Sequence, residues 1–231
     1  MAKLLVCSDK IIIKNCEIRK SIRGAYDNFV LAGNRFLLTS KNPLGHLFMV
    51  RMPGFTFQTS QAFTKEGNIN YTDVSCLDGL FLYGSDNSLI NYNELNVEDA
   101  KAIIRYVRKK GNTDAYFITP EGNHHDILSG SNVVGIGISI KGGDVALTSQ
   151  SIKNHIRKYR NSAQGLFLKR FGIFDGVSEY DVRPSKSNER GQIEFLKNRY
   201  GIASDDVLHV DREMLDKSDV QRKILDFMNH R

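Results

Sequence analysis

Leu80-Phe81-Leu82-Tyr83-Gly84-Ser85-Asp86-Asn87-Ser88-Leu89-Ile90 is the stretch on which the fold turns. Its first four residues are apolar, enough for one buried strand, and they run straight into a small polar loop. A helical pattern follows over Asn96 to Lys110, with Val97, Ile103, Ile104 and Val107 as its apolar stripe. Arg105, Arg108, Lys109 and Lys110 crowd its last turn, where cations suit the helix dipole, and Gly111 is placed to stop it. A second apolar run, Ala115 to Ile118, ends at Thr119. A strand, a helix and a strand in this order predict a parallel pair joined by a right-handed crossover. Ligands of open α/β sheets bind at the carboxyl ends of such strands.

Beyond Thr119 the pattern is mixed. The apolar runs Asn132–Ile140 and Asp144–Thr148 flank Lys141-Gly142-Gly143, which predicts a hairpin over 129–148. The order of glycines there fits neither a P-loop nor a dinucleotide fingerprint. A helix is expected over 149–170. From Ser151 to Phe171 it carries Lys153, Arg157, Lys158, Arg160, Lys169 and Arg170 and no acidic residue, with His155 and Tyr159 among them. A charge run is often just a solvated helix face, but the absence of counter-charge makes this segment a candidate nucleic-acid-binding surface. Gly172–Val177 resembles a short strand, Ser187–Tyr200 a helix, Val207–Val210 a strand ending at Asp211, and Asp219–Asn229 a closing amphipathic helix.

Residues 1–75 read as a β-rich region preceding an α/β domain over 76–231. Lys3–Cys7, Ile11–Ile18, Asn28–Ala32, Arg35–Thr39 and His46–Arg51 are short runs with β-branched or aromatic content. Ala32-Gly33-Asn34 suits a hairpin turn between the third and fourth of these.

The bulk properties narrow the classes. The chain has 231 residues, 41% hydrophobic and 25% charged, as in ordinary globular domains. No apolar run approaches the roughly 20 residues of a membrane span. Cys7, Cys16 and Cys76 lack metal-ligand spacing and suit a reducing compartment such as the cytoplasm. A formal charge of +6 permits contact with a polyanion without requiring it.

Four positions fall into an order that resembles the haloacid dehalogenase superfamily, most of whose members are magnesium-dependent phosphohydrolases. In that family a first strand ends in Asp-x-Asp-Gly-Thr-Leu and a second ends in Thr or Ser. A Lys lies near the start of a later helix, and a further strand ends in acidic residues. Gly84-Ser85-Asp86-Asn87-Ser88-Leu89 takes the first place, followed by Thr119, Lys186 and Asp211. The resemblance covers about 80–215. It implies a catalytic set of Asp86, Thr119, Lys186 and Asp211, with Asp86 and Asp211 as magnesium ligands.

A second register is open. Leu4-Leu5-Val6-Cys7-Ser8-Asp9 also fits the first strand, with Cys7 where the family has its first Asp. In either register the nucleophilic carboxylate is replaced, by Gly84 or by Cys7. The resemblance therefore implies a degenerate member that binds a phosphate-containing ligand or nucleic acid in a regulatory role. The alternatives are a magnesium-dependent phosphohydrolase acting on nucleotides or nucleic-acid ends, and a nucleic-acid-binding module without phosphate chemistry. Two further clusters are weaker candidates: His124-His125-Asp126 as metal ligands, and Asp175, Glu179 and Asp181 near Lys186 as a nuclease-like set.

Overall fold

The computed structural model describes residues 2–8, 13–14, 17–18, 20–39, 72–84, 88–127, 130–159, 165–210 and 217–229. These residues form two compact units. The first lies within Met1–Gly45, Gly54–Asn91 and Asn188–Arg231, the second within Tyr92–Ser187. The chain passes from the first unit to the second after Asn91 and returns at Asn188.

In the first unit Leu4–Ser8 forms β1, Arg35–Thr39 β4, Thr72–Cys76 β5, Phe81–Tyr83 β6, Leu89–Tyr92 β7 and Val207–Val210 β13. The sheet order is β13-β1-β4-β5-β6-β7. β1 pairs parallel with both β13 and β4, and β4 pairs parallel with β5. Leu4, Leu5, Val6 and Cys7 are all buried, as expected of a strand covered on both faces. The two short strands Ile13–Lys14 (β2) and Glu17–Ile18 (β3) pair with each other.

The crossover from β1 to β4 is the helix α1, Lys20–Leu31. Its buried residues Ile22, Ala25, Tyr26, Phe29 and Val30 recur three and four apart, which is helical and not strand spacing. The expected strand over Asn28–Ala32 and the hairpin turn after it are therefore corrected. Gly33, at φ 79°, ends the helix, and its N–H donates to the Val30 carbonyl at 2.9 Å. Asn34 then ties the helix end to the sheet. Its Oδ1 accepts from the Lys3 N–H at 2.9 Å, and its Nδ2 donates to the Phe29 carbonyl at 3.1 Å.

Leu80 to Ile90 is not the organising strand. β6 runs antiparallel to β5, with Cys76 opposite Phe81 and Val74 opposite Tyr83. Gly84 therefore leaves the sheet at the amino edge of the parallel strands, opposite their carboxyl edge. Its N–H donates to the Ser88 carbonyl at 2.8 Å, closing a hairpin between β6 and β7.

Helices cover both faces of this sheet. α4 (Glu189–Tyr200) brings Ile193 and Leu196 onto Leu4, Val6, Leu37 and Leu82. On the other face Phe36 meets Tyr26 edge to face at 5.1 Å. The closing helix α5 (Lys217–Asn229) packs on α1, Phe227 stacking on Phe29 at 6.3 Å.

At the amino end of the sheet Asp73 is fully buried, and Arg35 Nη2 reaches both of its carboxylate oxygens at 3.1 Å. The Arg35 guanidinium lies 3.9 Å over the Tyr200 ring. Burial pushes the Asp73 carboxyl up to about 6, with Arg35 pulling the other way. The folded value is thus above the unfolded one, so the folded state holds the extra proton. Stability should fall as pH rises from about 4 to about 7, by an amount on the order of 3 kcal/mol. In Asp73→Asn this component should vanish. Urea midpoints of both proteins at pH 4 and pH 7 test it, and equal pH dependences would refute the assignment.

The second unit holds α2 (Val97–Arg108), β8 (Thr113–Thr119), β9 (Gly122–His124), β10 (Gly135–Lys141), α3 (Val145–Ile156), β11 (Leu166–Phe174) and β12 (Val177–Pro184). The sheet order is β11-β12-β10-β8-β9, with every pair antiparallel. The parallel pairing expected between the strands ending at Tyr83 and Thr119 does not occur, because they belong to different sheets. α2 and α3 bury Ile103, Ile104, Val107, Ile152 and Ile156 in one core with Ile136, Ile138 and Ile140.

Two further expectations are corrected here. Gly142 and Gly143, at φ 61° and 65°, lead into α3, not into a hairpin. Asp144 caps that helix, accepting from the Leu147 N–H at 2.9 Å. The expected helix over 149–170 ends at Ile156, with one 3₁₀ turn through Tyr159, and Leu166–Phe174 is a strand. A hairpin does form further along, β11–β12, turned by Asp175-Gly176 at φ 49° and 77°. That is the positive-φ pair a two-residue turn requires.

Candidate functional site

The carboxyl edge of the parallel strands is built from β1, β4 and β5. Their register sets Ser8 beside Thr39 and Thr39 beside Ser75. Cross-strand neighbours share a face, so three hydroxyls stand in a row at the strand ends. Alternation along β1 and β4 puts Ser8 with Leu4 and Val6, and Thr39 with Leu37. That is the face on which α4 packs. Thr39 and Ser75 are buried, and the Ser75 hydroxyl has no hydrogen-bond partner among the described residues.

α4 begins at this same edge, and a tight approach fixes it there. Gln192, fully buried, donates from Nε2 to the Gly79 carbonyl at 2.8 Å and accepts from Asn91 Nδ2 at 2.8 Å. Asn188 caps the helix, accepting from the Gly191 N–H at 2.9 Å. The turn Leu77-Asp78-Gly79 after β5 takes positive φ at all three residues, 52°, 54° and 88°. Backbone held in this sparsely populated region is concentrated at functional sites. A cleft of ≈ 540 Å³ opens here, with Asp78, Asn188, Arg190 and His209 among its lining.

The strand-end groups here, Cys7, Ser8, Thr39, Ser75 and Cys76, are hydroxyls and thiols. They do not fit magnesium, which takes carboxylate, phosphate and water oxygens. Among the described residues no group of three His, Cys, Asp or Glu side chains is placed to hold a metal ion. Asp9 and Asp211 follow β1 and β13 in the sequence and lie outside the described residues, as does Asp86.

Of the expected set, only Thr119 and Lys186 are among the described residues. Thr119 ends β8 in the second unit and serves its own turn. Its Oγ1 donates to the Gly122 carbonyl at 3.1 Å and accepts from the Glu121 N–H at 3.2 Å. Lys186 is exposed in the turn before Ser187, ahead of the first residue of α4. His125 lies 4.0 Å from Asp114, and its carbonyl accepts from Arg108 at 2.8 Å. The Asp175, Glu179 and Asp181 set is also divided. Asp175 sits in the hairpin turn, Glu179 accepts from Ser139 at 3.0 Å, and Asp181 is paired with Arg183.

The basic segment splits as well. Lys153, Arg157 and Lys158 are exposed on α3 and its final turn, while Arg160 lies outside the described residues. Lys169 and Arg170 are neighbours on β11 and point to opposite faces, Lys169 in register with Asp181 and Arg170 with Tyr180. Thr39 escaped the sequence reading, although its signal, an apolar run ending in Thr, is the one that singled out Thr119.

No protein-family profile matches the sequence, and no curated protein matches it. Solved structures do. The phosphatase BT1666 of Bacteroides thetaiotaomicron, of the HAD superfamily, aligns with a TM-score of 0.61 at 10% identity, over 90% of this chain and 76% of its own. SMU.1108c of Streptococcus mutans aligns at 0.59 and 13% identity, over 96% and 84%. The HAD subclass IIB sugar phosphatase BT4131 aligns at 0.57 and 11% identity, over 90% and 80%. The chain has the haloacid dehalogenase fold, and at these identities the likeness concerns the fold. Among the described residues no helix is long and apolar enough to cross a membrane.

Proposed function

We propose that the protein is a degenerate haloacid dehalogenase-fold protein that binds a phosphate-containing ligand at the carboxyl edge of its first sheet, without forming an aspartyl-phosphate. One observation carries this reading. The central strand β1 ends in Cys7-Ser8, and its terminal hydroxyl stands in register with Thr39 and Ser75. A phosphoryl-accepting nucleophile in this fold is a carboxylate, and neither residue supplies one. Neutral hydroxyls donate to an anionic oxygen without the charge repulsion a carboxylate brings. Such an edge needs no cation to accept phosphate.

Calorimetric titration with inorganic phosphate, with and without magnesium, tests the reading. Phosphate should bind without magnesium, and Thr39→Val with Ser75→Ala should weaken it at least about tenfold, as loss of hydrogen bonds to a charged group implies. With magnesium added, p-nitrophenyl phosphate should not turn over. Failure to bind phosphate, or binding indifferent to both substitutions, would defeat the proposal.

A second reading, an active magnesium-dependent phosphohydrolase, has one observation in its favour. Asp9 and Asp211 follow, in sequence, the carboxyl ends of the adjacent strands β1 and β13. They would supply the metal ligands in place of the Asp86 and Asp211 pair. Magnesium-dependent turnover that disappears in Asp9→Asn would establish this reading against the first.

A further inference from the structure

The seam between α2 and α3 on the second unit carries a built cationic cluster that the edge of the first sheet does not use. Tyr106 and His155 stack face to face, centroids 3.7 Å apart and planes 1° apart. The Tyr106 hydroxyl meets Ser151 Oγ at 2.8 Å, and Lys110 Nζ donates to the same Ser151 Oγ at 3.1 Å. Lys110 Nζ also stands 4.8 Å from the centre of the Tyr106 ring. Tyr159 closes the cluster, edge-on to His155 at 5.8 Å. Lys110 is thus a lysine held in place, its ammonium steadied by a hydroxyl and a ring face.

The field at this seam has one sign. The charges that act on His155 are those of Lys158 and Lys110, and the same two lysines act on Tyr106. Burial and these lysines together hold the His155 imidazole below its ordinary value, as a site already rich in cations requires. Lys153, Arg157 and Lys158 continue the patch along the exposed side of α3. The sequence places no Asp or Glu between Asp144 and Asp175 to neutralise them. From Lys153 to Lys158 the helical rise is about 7.5 Å, so these cations are spread over the exposed side of α3 and do not converge on a point. Spread cations beside partly exposed aromatic rings suit an extended polyanion with stackable bases.

We infer that the α2–α3 face of the second unit binds single-stranded nucleic acid, with Lys110, Lys153, Arg157 and Lys158 taking its phosphates and Tyr159 offering a ring to its bases. The assignment does not rest on the reading of the first unit. Lys169 and Arg170, which the sequence grouped with these residues, are not part of it.

Fluorescence anisotropy of the full chain with a labelled twelve-nucleotide dT strand decides the matter. Four phosphate contacts on a single strand predict a log–log salt slope near −3, so affinity should fall roughly fifty-fold between 50 and 200 mM salt. Lys110→Glu with Lys158→Glu should lower affinity at least about tenfold and flatten the slope by about half. Lys153→Glu with Arg157→Glu, both on the exposed side of α3, should do the same without touching the Tyr106–His155 stack. Arg222→Glu with Lys223→Glu on α5 makes the same change in net charge and should leave binding intact. No binding at 50 mM salt would overturn the inference, as would affinity indifferent to both α3-face variants or lost equally in the α5 control. A duplex of the same length bound as tightly as the single strand would also overturn it.

Discussion

Gly79→Ala is expected to cost the first unit at least about 3 kcal/mol, more than any single surface change in it. Gly79 sits at φ 88°, where an L side chain is strained. A Cβ there would also fall inside the van der Waals envelope of the Asn188 carbonyl and the Glu189 amide. These are backbone atoms at the start of α4, so no side-chain rotation can relieve the overlap. The helix would have to back away, breaking the buried bond from Gln192 Nε2 to the Gly79 carbonyl and stranding both groups. Gly33→Ala is the control. Its φ of 79° carries the same backbone strain, but among the described residues nothing lies within 4 Å of an added Cβ. It should cost only about 1–2 kcal/mol. Urea unfolding followed by circular dichroism measures both, since the chain has no tryptophan to report by fluorescence. Equal costs for the two variants would show that the approach to Asn188 is not tight. Because that approach sets the start of α4 at the sheet edge, Gly79→Ala should also weaken phosphate binding.

Arg183→Ala should destabilise the second unit by about 3–5 kcal/mol. Arg183 and Asp181 are both fully buried, and Arg183 Nε donates to Asp181 Oδ2 at 2.8 Å. Its Nη1 donates to the Ser187 carbonyl at 3.4 Å. Burial pushes the Asp181 carboxyl above its ordinary range, and Arg183 is the main group opposing this. Without the guanidinium the carboxylate is an unpaired buried charge, and it will take up a proton to relieve the cost. The sign follows: the variant should recover part of its deficit as pH falls and Asp181 protonates. Replacing both residues, Asp181→Leu with Arg183→Met, should cost less than Arg183→Ala alone, because no charge is then left behind. Urea midpoints for the three proteins at pH 5 and pH 8 provide the comparison. A double variant worse than the single one would refute this account of the pair.

The elements themselves were largely legible. The stripe Val97, Ile103, Ile104, Val107 marks α2 as it stands, with Asn96 capping it through its Oδ1. Val207–Val210 and the helix ending at Tyr200-Gly201 fall where apolar alternation and the C-terminal glycine put them. α1 escaped the β-rich reading of residues 1–75, although Ile22, Ala25, Tyr26, Phe29 and Val30 carry its spacing, because Phe29 and Val30 favour strands and Gly33-Asn34 has the composition of a hairpin turn as much as of a helix end. Local propensity yields to a packed face in such cases.

The candidate site was less legible, because strand order is a matter of non-local pairing. Both Leu4–Cys7 and Leu80–Tyr83 are apolar and both run into polar residues. Nothing local says which one lies in the middle of a parallel sheet. That is settled by partners far along the chain: Leu4 pairs with Val207 on one side and Arg35 on the other, whereas Phe81 pairs antiparallel with Cys76. The same holds for Ser8, Thr39 and Ser75, which become neighbours only through register.

Composition and periodicity alone determined that this is an α/β protein and marked α2, α4 and β13 as elements. Those conclusions rest on side-chain chemistry and on spacings of a few residues, which any short window contains. The tertiary structure decided which strand is flanked on both sides, which residues end the parallel strands, and which cations lie on α3 and which on β11. Those depend on pairing free energies between segments up to 200 residues apart, and a hydroxyl, a carboxylate or a lysine carries no local mark of the partner it will meet.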